Sequence, residues 1–166
     1  MRKWLVSVII LLSVVLSACG NVDTFEVISD NIQEYQPAPQ AKVKLTIPED
    51  AALAVMSNSD CRSYESDHYQ IIVQTYPSGN LDETLRQITG YNEKQLNVMK
   101  VTEDDINKYL CAWSSMSEEG ELVGRCTIFD DGVYHYCLTV LVDAQESDEV
   151  RETIDLLFSD YSLEEY

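Results

Sequence analysis

The stretch from Ile106 to Val142 constrains the fold of this chain more than any other part of it. Three β-like runs follow one another there, divided by Ser117-Glu118-Glu119-Gly120 and by Asp130-Asp131-Gly132. An Asp-Gly dipeptide between apolar runs is a strong hairpin signal, because a type I′ turn needs positive φ at both central residues. Short turns between strands enforce antiparallel neighbours, so the region predicts a three-stranded meander. Its last run, Val133 to Val142, is almost wholly apolar, aromatic or β-branched. That composition belongs to a central strand covered on both faces, since a strand with one wet face alternates instead.

The flanking segments supply the cover. Val43-Lys44-Leu45-Thr46-Ile47 alternates and ends at Pro48, as a strand with one buried face does. Cys61 to Tyr76 reads as two strands about a turn near Ser66-Asp67. Pro77-Ser78-Gly79 breaks the second, and a helix is expected from Asn80, with Glu83 at the capping-box position and Gly90 as its stop. Leu81, Leu85 and Ile88 fall on one face of it. Tyr91 to Asn97 shows no dominant period, and Val98 to Val101 reads as a short strand. A second helix is expected near Ser147, with Val150, Ile154, Leu157 and Phe158 on its apolar stripe. The order predicts an α+β fold, a mainly antiparallel sheet of about 5–6 strands packed with two helices.

The chain starts differently. Arg2 and Lys3 precede an apolar run from Trp4 to Leu16, which closes on Leu16-Ser17-Ala18-Cys19. A basic start, about a dozen apolar residues and small residues at the end read as an export signal. A membrane-spanning anchor is the competing reading, but that needs roughly 20 apolar residues. Leu16-Ser17-Ala18-Cys19 closely resembles the bacterial lipobox. The resemblance implies that Cys19 receives a diacylglycerol by thioether linkage and that the signal is cut just before it. Residues 1–18 are then the signal peptide, 19–42 a lipidated tether and 43–166 a single domain, outside the membrane and held to the cell membrane by lipid. Pro37-Ala38-Pro39-Gln40 favours extended backbone, and a flexible tether of this length reaches about 25 Å. Phe25, Ile28, Ile32 and Tyr35 are also compatible with a short helix stripe, although isolated helices of that length are marginal.

Charge narrows the partners. The chain carries 11 Lys and Arg against 29 Asp and Glu. Removing the leader takes Arg2 and Lys3 and no acidic residue, which leaves 9 basic groups against 29 acidic and a mature charge of −20. Nucleic acid is excluded as a partner, since its binding rests on Lys and Arg neutralising phosphates. An anionic membrane surface repels such a domain as well, so the membrane is reached through the lipid, and a double acyl chain is enough to anchor it. A basic protein, a basic peptide or a divalent cation suits this acidity; solubility alone also accounts for it.

The opening Val-Lys-Leu-Thr-Ile-Pro strand, mid-chain helix, meander and closing helix ending Leu157-Phe158-Ser159-Asp160-Tyr161 resemble the PsbP/DcrB-like α/β/α sandwich. The resemblance spans roughly Val43 to Leu163. It implies a binding, assembly or accessory module of the envelope, and it brings no catalytic signature.

With Cys19 assigned to lipid, Cys61, Cys111, Cys126 and Cys137 remain, an even number in an exported chain. A two-residue turn at Asp131-Gly132 would pair Cys126 with Cys137 across neighbouring strands. A loop of Glu118-Glu119 would place Cys111 opposite Cys126, putting three cysteines in one row. The expected disulfides are Cys126–Cys137 and Cys61–Cys111. Zinc is the competing reading, but no Cys-x-x-Cys pair is present.

Few residues carry chemistry. His68 and His135 lie in expected strands without ligands at metal spacing beside them, so no metal and no cofactor is expected. His135 shares a strand face with Cys137, which makes a Cys–His pair geometrically possible. No Gly-x-Ser-x-Gly, His-Glu-x-x-His, phosphate-binding loop or EF-hand loop occurs. The acidic pairs Asp104-Asp105, Glu118-Glu119, Asp130-Asp131 and Glu164-Glu165 read as turns and solvated faces. Ten tyrosines and Trp113 offer a candidate ligand pocket of Tyr109, Trp113, Tyr134, Tyr136 and His135. The expectation is therefore not an enzyme but a lipid-anchored extracytoplasmic domain that binds a protein or envelope ligand. The alternative is a small-molecule or cation binder using the Tyr/Trp-lined pocket.

Overall fold

The computed structural model describes residues 40–54, 57–58, 60–117 and 120–164. Cys19, the expected lipidation site, and Phe25, Ile28, Ile32 and Tyr35 of the expected tether lie outside the described residues. Among the described residues there are nine strands: β1 Lys42–Lys44, β2 Ala52–Leu53, β3 Cys61–Glu65, β4 Tyr69–Pro77, β5 Met99–Glu103, β6 Ile106–Met116, β7 Glu121–Asp130, β8 Tyr134–Asp143 and β9 Ser162–Glu164. Helix α1 is Leu81–Thr89, a 3-10 turn covers Glu93–Gln95, and helix α2 is Arg151–Asp160. Seven strands form one antiparallel sheet in the order β2-β3-β4-β8-β7-β6-β5, and β1 pairs with β9 in a second, small one. The class is the expected α+β; the main sheet is larger than expected.

β8 lies at the middle of the sheet, as its composition requires, with His135 to Val140 buried without a break. Successive side chains along it point to opposite faces. Leu138, Val140 and Val142 join Tyr69, Ile71 and Val73 of β4 beneath α2, whose stripe adds Ile154, Leu157 and Phe158. Val150 and Tyr161 close that core at the two ends of the helix. Cys137 faces the other way and packs with Cys111, Cys126, Ile128 and Leu85 of α1. The helices therefore cover opposite faces of one sheet. Each fully buried Leu or Ile contributes about 1.5–3 kcal/mol relative to exposure.

The helix signals are met at α1. Asn80 Oδ1 accepts from the N–H groups of Asp82 (3.1 Å) and Glu83 (3.4 Å), and Gly90 ends the helix at φ +79°. Helix α2 begins later than expected. Residues 144–149 form turns, the Ser147 hydroxyl donates to the Ala144 carbonyl, and the helix starts after Val150 with no side-chain cap.

The β6/β7 register is the expected one, with Cys111 opposite Cys126. The β7/β8 register is not. Its turn is centred on Gly132-Val133, with Asp131 N–H donating to the Tyr134 carbonyl at 3.3 Å. Gly132 has φ +84° and Val133 is not among the residues with positive φ, the φ signs of a type II′ turn. The aspartates cause the shift. Asp130 Oδ1 accepts from Gly132 N–H (2.9 Å), and Asp131 Oδ1 accepts from the N–H groups of Val133 (2.8 Å) and Tyr134 (2.7 Å). Moving the turn centre by one residue moves the pairing by two, so Cys126 faces Thr139 and Cys137 faces Ile128. Between β5 and β6, Asp104 (φ 48°) and Asp105 (φ 64°) make a turn with two positive φ values, which their short side chains tolerate.

Candidate functional site

The sheet separates the residues expected to share a pocket. Tyr109, Cys111 and Trp113 alternate onto the α1 face of β6, and Tyr109 and Trp113 pack beside the α1-face core. The Trp113 ring lies on Gly124 of β7, where a Cβ would come within 2.4 Å of the indole. Only glycine leaves that space, so this glycine is a packing residue. Tyr134 and Tyr136 point to the α2 face, with ring centroids 6.1 Å apart. Tyr136 is fully buried; its hydroxyl accepts from Ala41 N–H (2.7 Å) and donates to Asp131 Oδ2 (2.9 Å). It pins the entry of the domain, beside the β1/β9 pair, and lines no cleft. The Tyr109, Trp113, Tyr134, Tyr136 and His135 pocket does not assemble, because positions 134 and 136 have the opposite parity to 135.

His135 lies on the α1 face, 2% exposed. Its Nδ1 is 2.8 Å from Thr84 Oγ1 of α1, and its Nε2 is 3.8 Å from Asp130 Oδ1. Asp130 also accepts from the Ser78 hydroxyl at 2.9 Å. Burial pulls the imidazole below its ordinary pKa, against the opposite pull of Asp130 and Asp131. The group is thus a neutral ring bridging helix and sheet. Thr84, 4% exposed, is enclosed with it. Cys137 Sγ donates to the backbone carbonyl of His135 (3.7 Å), away from the imidazole, and burial pushes this thiol far up. The Cys–His pair that strand parity allowed is therefore not an activated nucleophile. His68 is exposed, with Nδ1 3.2 Å from Glu146 Oε2.

The four cysteines among the described residues, Cys61, Cys111, Cys126 and Cys137, are free thiols. Cys111 Sγ and Cys126 Sγ lie 2.8 Å apart. The expected pairings fail on register. Cys126 and Cys137 are offset by two residues. Cys61 is opposite Gln74, which is opposite Cys137, so β4, β8 and β7 separate Cys61 from Cys111 by four strand spacings, about 19 Å. Among the described residues, no group of three or more His, Cys, Asp or Glu could hold a metal ion, and no helix is long and apolar enough to cross a membrane.

The surface offers one apolar groove that the sequence did not reveal. Thr46 and Pro48 form one wall, and Thr153, Leu156, Leu157 and Asp160 of α2 form the other, around a volume of about 360 Å³. Leu156 is 70% exposed, an apolar residue off the buried stripe of its helix. Asp160 ties the walls together: its Oδ2 accepts from Thr46 N–H at 2.7 Å, and Lys44 Nζ is 3.9 Å from its Oδ1. The hydrogen bonds from Thr46, with Lys44 in support, hold its carboxyl below the usual range. Glu49 and Glu152, both exposed, are next in sequence to the lining residues Pro48 and Thr153. The signal in the sequence was Leu156 itself, a large aliphatic among Glu152, Asp155, Ser159 and Asp160. A neighbouring groove under α2 contains Arg125 and Arg151, but these are paired with Asp155 (2.6 Å) and Asp148, and Arg125 also stacks over Phe158 (4.4 Å).

This arrangement is a PsbP-like α+β sandwich, a sheet with one helix on each face and a small strand pair joining the ends of the domain. Among solved structures, the chain is similar to cyanobacterial PsbP (CyanoP) from Synechocystis sp. PCC 6803, with TM-score 0.54 and 10% identity over 80% of this chain and 99% of that one. It is also similar to LpqN, involved in cell envelope biogenesis of Mycobacterium tuberculosis, with TM-score 0.49 and 10% identity over 77% of this chain and 87% of that one. No protein-family model and no curated protein matches the sequence. The likeness to PsbP is one of fold.

Proposed function

We propose that the chain is a non-catalytic, lipid-anchored extracytoplasmic domain that docks a basic envelope protein in the groove between Pro48 and α2. The observation that carries this reading is Leu156, 70% exposed in an apolar groove of about 360 Å³ with acidic neighbours. An apolar hollow with Asp160 in its lining, on a strongly acidic chain, suits an apolar side chain presented by a cationic segment. The groups that could do chemistry are committed elsewhere: Thr84, His135, Asp130 and Ser78 hold the α1 face together. Cys19, by its lipobox context, would keep the domain at the membrane, which its own charge opposes.

The test is quantitative capture from detergent-solubilised membranes, using the wild type and Leu156→Asp. A basic protein held by the wild type, released as salt screens the charges and lost from Leu156→Asp sustains the reading. Equal capture by both chains overturns it, as does capture of no basic protein. Membrane fractionation of Cys19→Ser checks the anchor separately: the variant should leave the membrane fraction, and full retention would refute lipidation at Cys19.

A further inference from the structure

We infer that Cys111 and Cys126 are an oxidation site, closing a cross-strand disulfide between β6 and β7 while Cys61 and Cys137 remain thiols. The inference stands on the register of the sheet. Cys111 and Cys126 are directly opposite in an antiparallel pair. Opposed residues in such ladders have Cα atoms about 4.5–5.5 Å apart, inside the range of about 4.4–6.8 Å that a disulfide spans. Their sulfurs, 2.8 Å apart, already point at each other, so bond formation needs no backbone movement. Among the described cysteines, no other combination meets this condition. Cys126 and Cys137 are diagonal neighbours, which lie about 7–8 Å apart. Cys61 is two strand spacings from Cys137, about 10 Å, and farther from the rest.

The chemistry balances with an external disulfide as oxidant, either oxidised glutathione or a thiol–disulfide oxidoreductase of the compartment. The Cys111 thiol loses its proton to solvent, and its thiolate attacks one sulfur of the oxidant. The oxidant S–S bond breaks and the first thiolate leaves, taking up a proton. Cys126 then loses its proton and attacks the Cys111 sulfur of the mixed disulfide, expelling the second thiolate, which is protonated in turn. Two thiols are oxidised to one disulfide, and one disulfide is reduced to two thiols. Cys111 is the first nucleophile because it is the more accessible of the two. Cys111 is 6% exposed and Cys126 1%, in the core capped by Leu85. Exchange therefore belongs to the stage before α1 packs, and the closed face then shelters the bond from reductants.

The bond would close a loop of about 15 residues, whose removal from the unfolded ensemble shifts the folding equilibrium on the order of 100-fold. The test refolds the purified full chain from urea in oxidised glutathione, alkylates the remaining thiols and maps peptides without reduction. The expected result is one linkage, Cys111 to Cys126, with Cys61 and Cys137 alkylated. A folding equilibrium constant that falls on the order of 100-fold on reduction, in the wild type and in Cys137→Ser but not in Cys111→Ser, confirms it. Alkylation of Cys111 and Cys126 along with Cys61 and Cys137, or any linkage through Cys61 or Cys137, overturns it. Because the oxidant is supplied, the outcome is independent of where the protein resides.

Discussion

The two faces of the sheet are built from different materials. Beneath α2, β4 and β8 present Tyr69, Ile71, Val73, Leu138, Val140 and Val142 to a stripe of Ile154, Leu157 and Phe158. Beneath α1, the same strands and their neighbours present sulfur, an indole and an imidazole, and the fully buried aliphatic groups are Leu85 and Ile128. One strand serves both, since β8 alternates Leu138 and Val140 with Cys137 and Thr139. The lesson is that a single central strand writes two cores at once. The α2 face supplies close-packed hydrocarbon, and the α1 face supplies groups held by specific bonds: Thr84 to His135, Cys111 to Cys126, Trp113 on Gly124.

Truncation should separate the faces most sharply. Leu138 and Leu85 are both fully buried, one on each face. Leu→Ala changes in cores cost about 2–5 kcal/mol, the spread reflecting how far the site can collapse. Leu138→Ala leaves its hole between the sheet and a densely packed helix and should cost near the top of that range. Leu85→Ala should cost near the bottom, because the short helix α1 can settle onto the sheet. Urea unfolding of the two variants measures this; equal losses would show that the α1 face is packed as rigidly as the other.

Much of this arrangement was legible in the sequence because it is local. The meander, the Asn80 and Gly90 helix ends and the α2 stripe each depend on a few adjacent residues. The errors arose where side chains compete with the backbone or where distant segments meet. Asp130 and Asp131 capture the turn N–H groups and move the hairpin centre off Asp131-Gly132, which displaced the expected Cys126–Cys137 pair. Faces could be assigned within each strand, but the register alone relates 109 and 113 to 134 and 136, so the tyrosine pocket was assembled from opposite faces. The β1/β9 pair joins the two ends of the domain, so the alternation from Val43 showed a strand but not its partner, and β2, only two residues long, is too short for a periodic signal. Leu156 marked the groove, yet its partner wall at Thr46 and Pro48 is distant in the chain.

Titration should separate the faces with opposite signs. His135, on the α1 face, has its folded pKa below the ordinary value, so the unfolded chain binds the proton more readily. Its contribution to stability is complete above about pH 6.5 and is lost as the pH falls through the folded value. Tyr69, on the α2 face, is pushed up to about 12 by burial and by its hydrogen bond to Asp50. Its contribution is complete below the unfolded pKa of 10.0 and is lost as the pH rises through about 12. Stability followed against pH should therefore lose part of its acid slope in His135→Gln and part of its alkaline slope in Tyr69→Phe. A His135→Gln variant with an unchanged slope between pH 7 and 5 would show that the imidazole is not the acid-sensitive link between α1 and the sheet.

The smallest effect tests how dry each face is. Thr127 and Thr139 are neighbours in adjacent strands, 1% and 2% exposed, and both hydroxyl oxygens lack a hydrogen-bond partner among the described residues. Thr127 is opposite Leu138 on the α2 face, and Thr139 is opposite Cys126 on the α1 face. An unsatisfied buried hydroxyl carries a desolvation cost of about 1–3 kcal/mol, and valine removes the hydroxyl while keeping nearly the same shape. Thr127→Val, in hydrocarbon, should stabilise the domain by about 1 kcal/mol. Thr139→Val should gain less, because it lies opposite Cys126, beside a polarisable sulfur rather than hydrocarbon. Urea midpoints at constant slope measure the two gains. If they are equal, the sulfur offers Thr139 nothing, and the α1 face is an apolar core in which cysteine serves only as a small hydrophobe.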